Sequence, residues 1–308
     1  MQNLPNRLGI NLSENKLQLV ELNFSGSEYV ISSLEEVFFD EPLNFESDKE
    51  TKLILTIQSA FNEILISGGI STTEVAFSLP LNCFTFFQIP YDNTLLQNDL
   101  VDQFRWEFSV LFPHKTETEY QFQFYEIEKS IFVQEPKAIV LAMKKRLIDL
   151  LYTFCDRNNL ILSTVDCNHF AFDKSIQLLD RNIKQGFVCS IYLDDPLVSI
   201  ELLFEQKPIF MKVFPLKNKA TFVDQIKTIL KEEIPIDLAQ YKIDKFYFGG
   251  DEVTMAFVSQ IEEQLQIPCY SVNPFVSLNT SKEFQNEKYF HEKAHAFAAA
   301  AGIAFRLE

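Results

Sequence analysis

The feature that most constrains the fold is a pattern that occurs twice along the chain. Residues 7–33 read as a strand, a polar turn at Ser13-Glu14-Asn15 and a second strand, which is typical of a β-hairpin. The pattern returns about 180 residues later, with the strand GFVCSIYL, a turn at Asp194-Asp195-Pro196, and the strands VSIELLFEQ and IFMKVFP. A pattern that restarts at this distance indicates a duplicated fold. We therefore predict a two-lobed α/β protein, divided into residues 1–180 and 181–308, with a ligand-sized cleft between the lobes.

Helices and further strands are predicted to follow each hairpin. In the first half, apolar residues at helical spacing predict helices at 50–67, 95–111 and 144–158, and a short helix that ends at Leu179. Strands are predicted between them at 74–80, 83–90, 120–128, 138–143 and 160–167. In the second half, helices are predicted at 220–232, 254–265 and 294–306, and strands at 245–250 and 269–272.

The charge and hydropathy of the chain argue against several classes of ligand and location. The 27 basic and 43 acidic residues are interleaved and give a net charge of −16. Nucleic acids and anionic lipid surfaces are bound through basic patches, so neither is an expected direct ligand. Charges interrupt every apolar run before the roughly 20 residues that cross a bilayer, and the start of the sequence lacks a signal-peptide core. With five scattered cysteines that we expect to be buried thiols, these features predict a cytoplasmic protein.

Seven segments, in this order, carry a resemblance to a known family. They are LGINLSENKLQLVEL, FSLPLNCFTFFQIP, FRWEFSVLFP, AIVLAMKKRLIDLL, VDCNHFAF, the hairpin at 187–205 and FYFGGDEVTMAFVSQIEEQLQIPCYSVNPF, and the terminal AAAAGIAFR extends the match nearly to the chain end. The chain resembles the type IV pilus assembly protein PilM and, more distantly, the cell-division protein FtsA, both of the actin-like ATPase superfamily. The resemblance implies two lobes of a duplicated, ribonuclease H-like fold, with a subdomain inserted in the first lobe at about residues 80–155.

The resemblance also implies where a nucleotide would bind. The first phosphate loop of the family reads Gly-x-Asp-x-Gly, and this chain has Gly9, Asn11 and Ser13 at those three positions. The second reads Asp-x-Gly, where this chain has Tyr192-Leu193-Asp194. Gly249 and Gly250 correspond to the glycine pair beside the nucleoside. Because both metal-side acids are replaced, the cofactor expectation is at most weak binding of ATP with magnesium.

Two interpretations of this degenerate site remain open. One is a scaffold without catalysis; the other is an active ATPase whose acids come from unusual positions, such as Asp194 or Glu21. By resemblance, a PilM-like scaffold would lie in the cytoplasm and bind the short N-terminal segment of an inner-membrane partner in a pilus or secretion-type assembly. It would reach the membrane only through that partner, and it could also self-associate.

The resemblance implies that the partner docks between the first lobe and the inserted subdomain. Within the insert, the helix at 95–111 bears Phe104, Trp106 and Phe108 on more than one of its sides. A helix that is apolar on nearly all sides is either buried or in contact with a partner. These three aromatic residues are therefore candidates both for the core and for partner binding.

Two short motifs match metal-dependent enzymes. Residues 291–295 read HEKAH and formally match the zinc-protease motif, but the thirteen residues that follow contain no histidine as third ligand. Residues 249–253 read GGDEV, one residue from the diguanylate cyclase signature, but the residues after it keep helical spacing. We expect a solvated helix start at His291 and a helix N-terminus at Asp251, and we expect His169, beside two phenylalanines, to be a partly buried histidine with its hydrogen bonds satisfied.

Overall fold

The computed structural model of the protein describes residues 6–26, 28–179, 186–216, 218–251, 253–276, 278–280 and 293–306. The strands are β1 Arg7–Leu12, β2 Lys16–Phe24, β3 Tyr29–Phe38, β4 Glu74–Leu79, β5 Phe84–Pro90, β6 Tyr120–Ile127, β7 Lys137–Lys144, β8 Ile161–Cys167, β9 Phe187–Asp194, β10 Leu197–Phe204, β11 Lys207–Pro215, β12 Ile243–Gly249, β13 Cys269–Ser271 and β14 Asn279–Thr280. The helices are α1 Glu50–Ser67, α2 Gln97–Leu111, α3 Lys145–Arg157, α4 Asn168–Leu179, α5 Phe222–Glu232, α6 Met255–Leu265 and α7 Ala298–Ala304.

The sheets of the two lobes share the same order over five strands, and the first sheet has β14 as a sixth strand at its edge. In the first sheet the order is β14-β3-β2-β1-β4-β8, and in the second it is β11-β10-β9-β12-β13. In both sheets an antiparallel three-stranded meander is followed by parallel strands beside its first member. The predicted two-lobed α/β fold is therefore confirmed, and the carboxyl ends of β1 and β9 place their turns at a common cleft.

The chain crosses between the lobes twice. Helix α4 leaves the first sheet and packs on β9 and β12 of the second, through Phe172 and Ile176. Strand β14 and helix α7 then return to the first lobe, where α7 packs on β1 and β2. The predicted boundary after residue 180 lies outside the described residues. A single boundary there separates the two halves of the sequence, but it assigns α7 to the second lobe although α7 packs on strands of the first.

The two crossing helices approach each other closely because the chain places small residues where they meet. A Cβ at Gly302 of α7 would lie 1.7 Å from the carbonyl oxygen of Ala171 in α4. A Cβ at Gly9 of β1 would lie 2.1 Å from the carbonyl oxygen of Ala300. The hydroxyl of Ser175 donates to the carbonyl of Ala298 at 2.6 Å and fixes the pair along its axis. The alanine-rich stretch is therefore a packing surface between the sheets.

The inserted subdomain is a three-stranded antiparallel sheet with helix α2 on one face. Its strand order is β5-β7-β6. Along β7, Val140 faces α2, whereas Ile139 and Leu141 join the core of the second lobe. The sheet thus ends at Lys144, and α3, predicted as part of the insert, packs instead in the first lobe through Leu150 and Phe154.

The helix predicted after the GGDEV segment is present as α6, but it begins at Met255, so Asp251 lies in the turn after β12, three residues before the N-cap, and not at the helix N-terminus as expected. Thr254 is the N-cap of α6, and its hydroxyl accepts from the backbone N–H of Phe257 at 3.2 Å. In the described part of the chain, none of the helices has the length and apolar character that crossing a membrane requires.

We predict that Gly302→Ala lowers the free energy of unfolding by about 3 kcal/mol, because the added methyl group must force α4 and α7 apart. The matched control is Gly68→Ala, where the nearest atom to a new Cβ is a glutamate oxygen at 3.8 Å and the expected change is within about 0.5 kcal/mol. Urea unfolding curves of both variants measure the difference. Equal midpoints for the two variants would contradict the packing role of Gly302.

Candidate functional site

The cleft between the lobes contains a cavity of about 400 Å³. The β1–β2 turn contributes Asn11, Ser13, Glu14 and Asn15, and the β9–β10 turn faces it with residues 192–196. Asn168 and Asp251 complete the wall. Of the five predicted cofactor-binding residues, Asn11 and Ser13 line this cavity, whereas Gly9, Gly249 and Gly250 lie behind its wall.

The side chain of Asn11 is already committed to protein contacts. It is 2% exposed. Its amide nitrogen donates to Gln18 Oε1 at 3.0 Å, and its oxygen accepts from the Ser78 hydroxyl at 2.9 Å. Asn11 therefore ties the first hairpin to β4, and its oxygen is aimed at Ser78 instead of the cavity.

The side chain of Ser13 accepts hydrogen bonds from backbone N–H groups of its own turn. Its hydroxyl oxygen accepts from the N–H groups of Asn15 at 3.2 Å and Lys16 at 3.1 Å. A phosphate cradle needs such N–H groups free to point at the ligand. In this turn a side-chain oxygen takes the place that a phosphate oxygen would need.

The second turn reaches across the cleft to the first lobe. Asp194 Oδ2 accepts from the backbone N–H of Leu81, directly after β4, at 2.5 Å. Burial raises the pKa of Asp194 to about 7, and the nearby carboxyl groups of Asp251 and Glu14 add to the effect. Pro196, in the same turn, has no N–H to offer. A carboxyl group thus lies where the family pattern has a glycine.

A second connection between the lobes passes through Lys16. Its ammonium group lies 2.7 Å from Glu36 Oε2, within the first lobe, and 3.0 Å from Asp251 Oδ1, which follows β12 of the second. Gln18 also donates to Glu36 at 2.8 Å. Lys16 and Glu36 are almost fully buried, so this pair is weakly screened by solvent. The ammonium group of Lys16 is therefore held by carboxylates of both lobes.

The two acids considered for an unusual ATPase lie in different places. Asp194 lines the cavity, but it is bonded to Leu81. Glu21 is 2% exposed and accepts from Ser71 and Thr72 backbone N–H groups at 2.7 and 2.8 Å, at the other end of the hairpin. Glu21 is therefore a structural anchor for the loop before β4.

A separate apolar groove of about 200 Å³ lies between the insert and the first lobe. One wall consists of Phe84, Leu141 and Met143 of the insert, with Gln121 and Gln123 of β6. The other wall consists of Ile148 and Tyr152 of α3 and residues 162–165 of β8. In the described residues, β6 and β8 are the edge strands of their sheets.

The predicted aromatic candidates on α2 divide between core and surface. Phe104 and Phe108 are fully buried in the core of the insert, where Phe108 packs on Phe122 with ring centroids 5.2 Å apart. A partner cannot contact these two rings unless that core opens, so their assignment to partner binding is corrected to core packing. Trp106 is 63% exposed and remains a candidate.

The zinc-protease motif falls partly outside the described residues, because His291 is not among them. His295 is half-buried, and burial lowers its pKa. Among the residues that the structure describes, it belongs to no cluster of potential metal ligands.

Comparisons with known proteins place this geometry in a fold family. No family model and no curated protein matches the chain. Among solved structures, it is similar to a PilM–PilN type IV pilus biogenesis complex, with a TM-score of 0.74 and 17% identity over 97% of this chain and 98% of that one. The chain has the actin-like fold.

Two further structures support this fold assignment. A protein of unknown function with an actin-like ATPase fold, from Bacteroides thetaiotaomicron, has a TM-score of 0.53 and 11% identity over 87% of this chain and 91% of that one. The ethanolamine utilization protein EutJ from Carboxydothermus hydrogenoformans has a TM-score of 0.51 and 10% identity over 98% of this chain and 89% of that one. At such identities the likeness shows the fold alone.

The glycine pair of the actin-like fold serves packing contacts in this chain. A Cβ at Gly249 would lie 2.5 Å from the ring of Phe172 in α4. Gly250 has φ of +117°, which disfavours other residues, and its Cβ would lie 2.1 Å from the Leu193 carbonyl oxygen. Both positions need glycine for backbone and packing reasons. Their role beside a nucleoside stays a prediction.

Sequence reasoning missed the inter-lobe contacts of Lys16, Glu36 and Asp251. One signal was available: Lys16 opens a strand whose next six residues are all buried. A lysine at such a position is unusual unless it is paired. The sequence could not identify the partner of Lys16 in the second lobe, because several acidic residues follow β9 and β12.

We predict that Asp194→Asn stabilises the protein at alkaline pH by about 1–2 kcal/mol after allowance for screening. A carboxyl group whose pKa rises from 3.8 to about 7 on folding binds its proton more tightly in the folded state, so its contribution to stability falls as pH rises between these values. The amide cannot ionise and avoids this loss, while its oxygen still accepts from Leu81.

Thermal unfolding at pH 5 and pH 8 tests this prediction, with the exposed neighbour Asp195→Asn as control. The stabilisation by Asp194→Asn should be larger at pH 8, and the control, which removes only the weakest of the charges that raise the pKa of Asp194, should show a much smaller dependence. A variant that is less stable than wild type at pH 8 would show that the charged carboxylate is favourable.

Proposed function

We propose that this chain is a non-catalytic, cytoplasmic scaffold of the PilM kind, which docks the cytoplasmic segment of an inner-membrane partner in a pilus or secretion-type assembly. The observation that carries the proposal is the direct bonding of the lobes across the cleft. Lys16 pairs with Asp251, and Asp194 accepts from Leu81, at the turns where the resemblance implies a bound phosphate.

The electrostatics of the cavity support a scaffold over an ATPase. Glu14, Asp194, Asp195 and Asp251 all line it, whereas Lys16 behind them is paired with two carboxylates. At an effective dielectric of about 20, each pair of like charges a few ångströms apart costs several kcal/mol. A triphosphate would add such repulsion, so weak nucleotide binding is the most that we attribute to this cavity.

The groove between the insert and the first lobe is the proposed docking site. Its wall is mostly apolar, and Tyr152 on its rim is 56% exposed. Edge strands with free backbone groups can pair with an extended peptide, while apolar pockets accept alternate side chains. The occupant that fits is a short, extended, apolar segment. The similar structure is that of a PilM–PilN complex of type IV pilus biogenesis.

A synthetic peptide can test this proposal directly. The peptide, labelled for fluorescence anisotropy, is taken from the cytoplasmic N-terminal segment of any single-span membrane protein that the neighbouring genes are found to encode. We predict that Tyr152→Arg raises its Kd at least tenfold, about 1.4 kcal/mol, because a charged side chain then lies on the apolar rim.

Two exposed apolar residues outside the groove provide controls. Ile66→Arg on α1, 87% exposed in wild type, should leave the Kd unchanged. Trp106→Arg tests the alternative surface on α2. If the peptide binds the Tyr152 variant as tightly as wild type, or if only the Trp106 variant loses binding, the groove is not the docking site.

A further inference from the structure

A cluster of three potential metal ligands lies where α4 packs on the second sheet; its members do not line the cavity, although their neighbours Asn168 and Tyr192 do. His169 and Asp173 are one helical turn apart on α4, and Glu201 lies in the middle of β10. They are 0%, 6% and 1% exposed, respectively. One ligand atom from each lies within 4.8 Å of the others. His169 Nε2 is 3.5 Å from Asp173 Oδ2 and 3.8 Å from Glu201 Oε2.

The two carboxyl groups lie against each other, and three of their four oxygens have no N–H or O–H donor. Both side-chain oxygens of Asp173 and Oε2 of Glu201 are buried without a hydrogen bond. Among the described residues, His169 is the only basic side chain within ion-pair distance of either acid. An unpaired buried carboxylate costs several kcal/mol, so this arrangement needs a proton or a cation.

The histidine is oriented as a metal ligand would be. Its Nδ1 contacts the hydroxyl of Ser199, and its Nε2 lies 2.8 Å from the hydroxyl of Ser190. If the Nδ1–H donates to Ser199, Nε2 carries the lone pair, and its oxygen neighbours are Ser190 Oγ and one carboxylate oxygen each of Asp173 and Glu201. Metal-binding histidines commonly donate their second ring N–H to an oxygen in this way.

We propose that His169, Asp173 and Glu201 bind one divalent transition-metal ion, for which Zn²⁺ is the natural probe. The Ser190 hydroxyl supplies a fourth oxygen. Tetrahedral zinc with ligand distances near 2.1 Å holds neighbouring ligand atoms about 3.4 Å apart, close to the separations found here. Two carboxylates neutralise the ion, and an imidazole nitrogen favours a transition metal over Mg²⁺ or Ca²⁺. The bound ion would fix α4 to β10.

This inference does not depend on the proposed scaffold role, and metal analysis tests it. The full-length chain is unfolded in the presence of a chelator, refolded with Zn²⁺ or, in a parallel arm, Mn²⁺, and freed of excess metal. We expect about one ion per chain and a higher midpoint of thermal unfolding than for protein refolded without metal.

Two variants that remove a buried carboxylate make the test specific. Glu201→Gln should reduce the bound metal at least tenfold and abolish the rise in midpoint. The matched control Glu21→Gln changes an equally buried strand glutamate that lies outside the cluster, and should retain about one ion per chain. Fewer than about 0.1 ions per wild-type chain in both arms would overturn the proposal, and this result does not depend on whether a variant folds.

Retention of the metal by Glu201→Gln would also overturn it. The alternative is that Asp173 and Glu201 share a proton and bind no metal, and it predicts a different result. Wild type would then take up no metal, and the amide variant would be as stable as wild type or more so. That result likewise contradicts a metal site.

Discussion

The ammonium group of Lys16, held between Glu36 and Asp251, is the contact on which the geometry of the cleft depends. Removing a charged ammonium from water is costly, and the cost is offset only if charged partners remain close to it. One partner belongs to each lobe, so a change in the angle between the lobes would break the pair with Asp251 and leave Lys16 paired with Glu36 alone. The hydrogen bond from Leu81 to Asp194 acts in parallel at the facing turn.

Under the proposed scaffold role, these contacts take over the cleft of the actin-like fold. The resemblance implies a cleft in which phosphates and a metal ion connect two lobes that are otherwise free to move. Here Ser13 accepts from the backbone donors of the first turn, and Asp194 takes the corresponding place in the second. Protein side chains therefore make the connection that a ligand would make, which is the property expected of a fold retained for its outer surfaces.

Close helix packing supports the same arrangement from behind the cleft. Gly302 allows α7 to contact α4, and Gly249 allows the ring of Phe172 on α4 to contact β12. The proposed metal site would fix α4 to β10 as well. No ligand is needed to explain these small residues, since at each an atom occupies the space of the missing Cβ.

Much of this architecture could be predicted from periodicity and turns. The repeated hairpin predicted two lobes, and the helical spacing after Asp251 correctly predicted a helix N-terminus at α6. Side-chain contacts between distant segments could not be predicted in this way. The sequence pattern around Phe104 and Phe108 is compatible with either core or surface positions. Their burial against the sheet of the insert shows that both belong to the core. The return of α7 to the first lobe likewise depends on its fit against Gly9, which no local pattern encodes.

The measurement that tests the account most directly is thermal unfolding of the full-length chain with and without millimolar ATP and magnesium. The account predicts an unchanged midpoint of thermal unfolding. The backbone N–H groups of the first turn and the ammonium group of Lys16 already have partners within the protein. A ligand present at 100 times its Kd would stabilise the fold by about 2.7 kcal/mol. A rise of several degrees in wild type that is lost in Asn15→Glu, which adds a carboxylate at the cavity wall, would contradict the account.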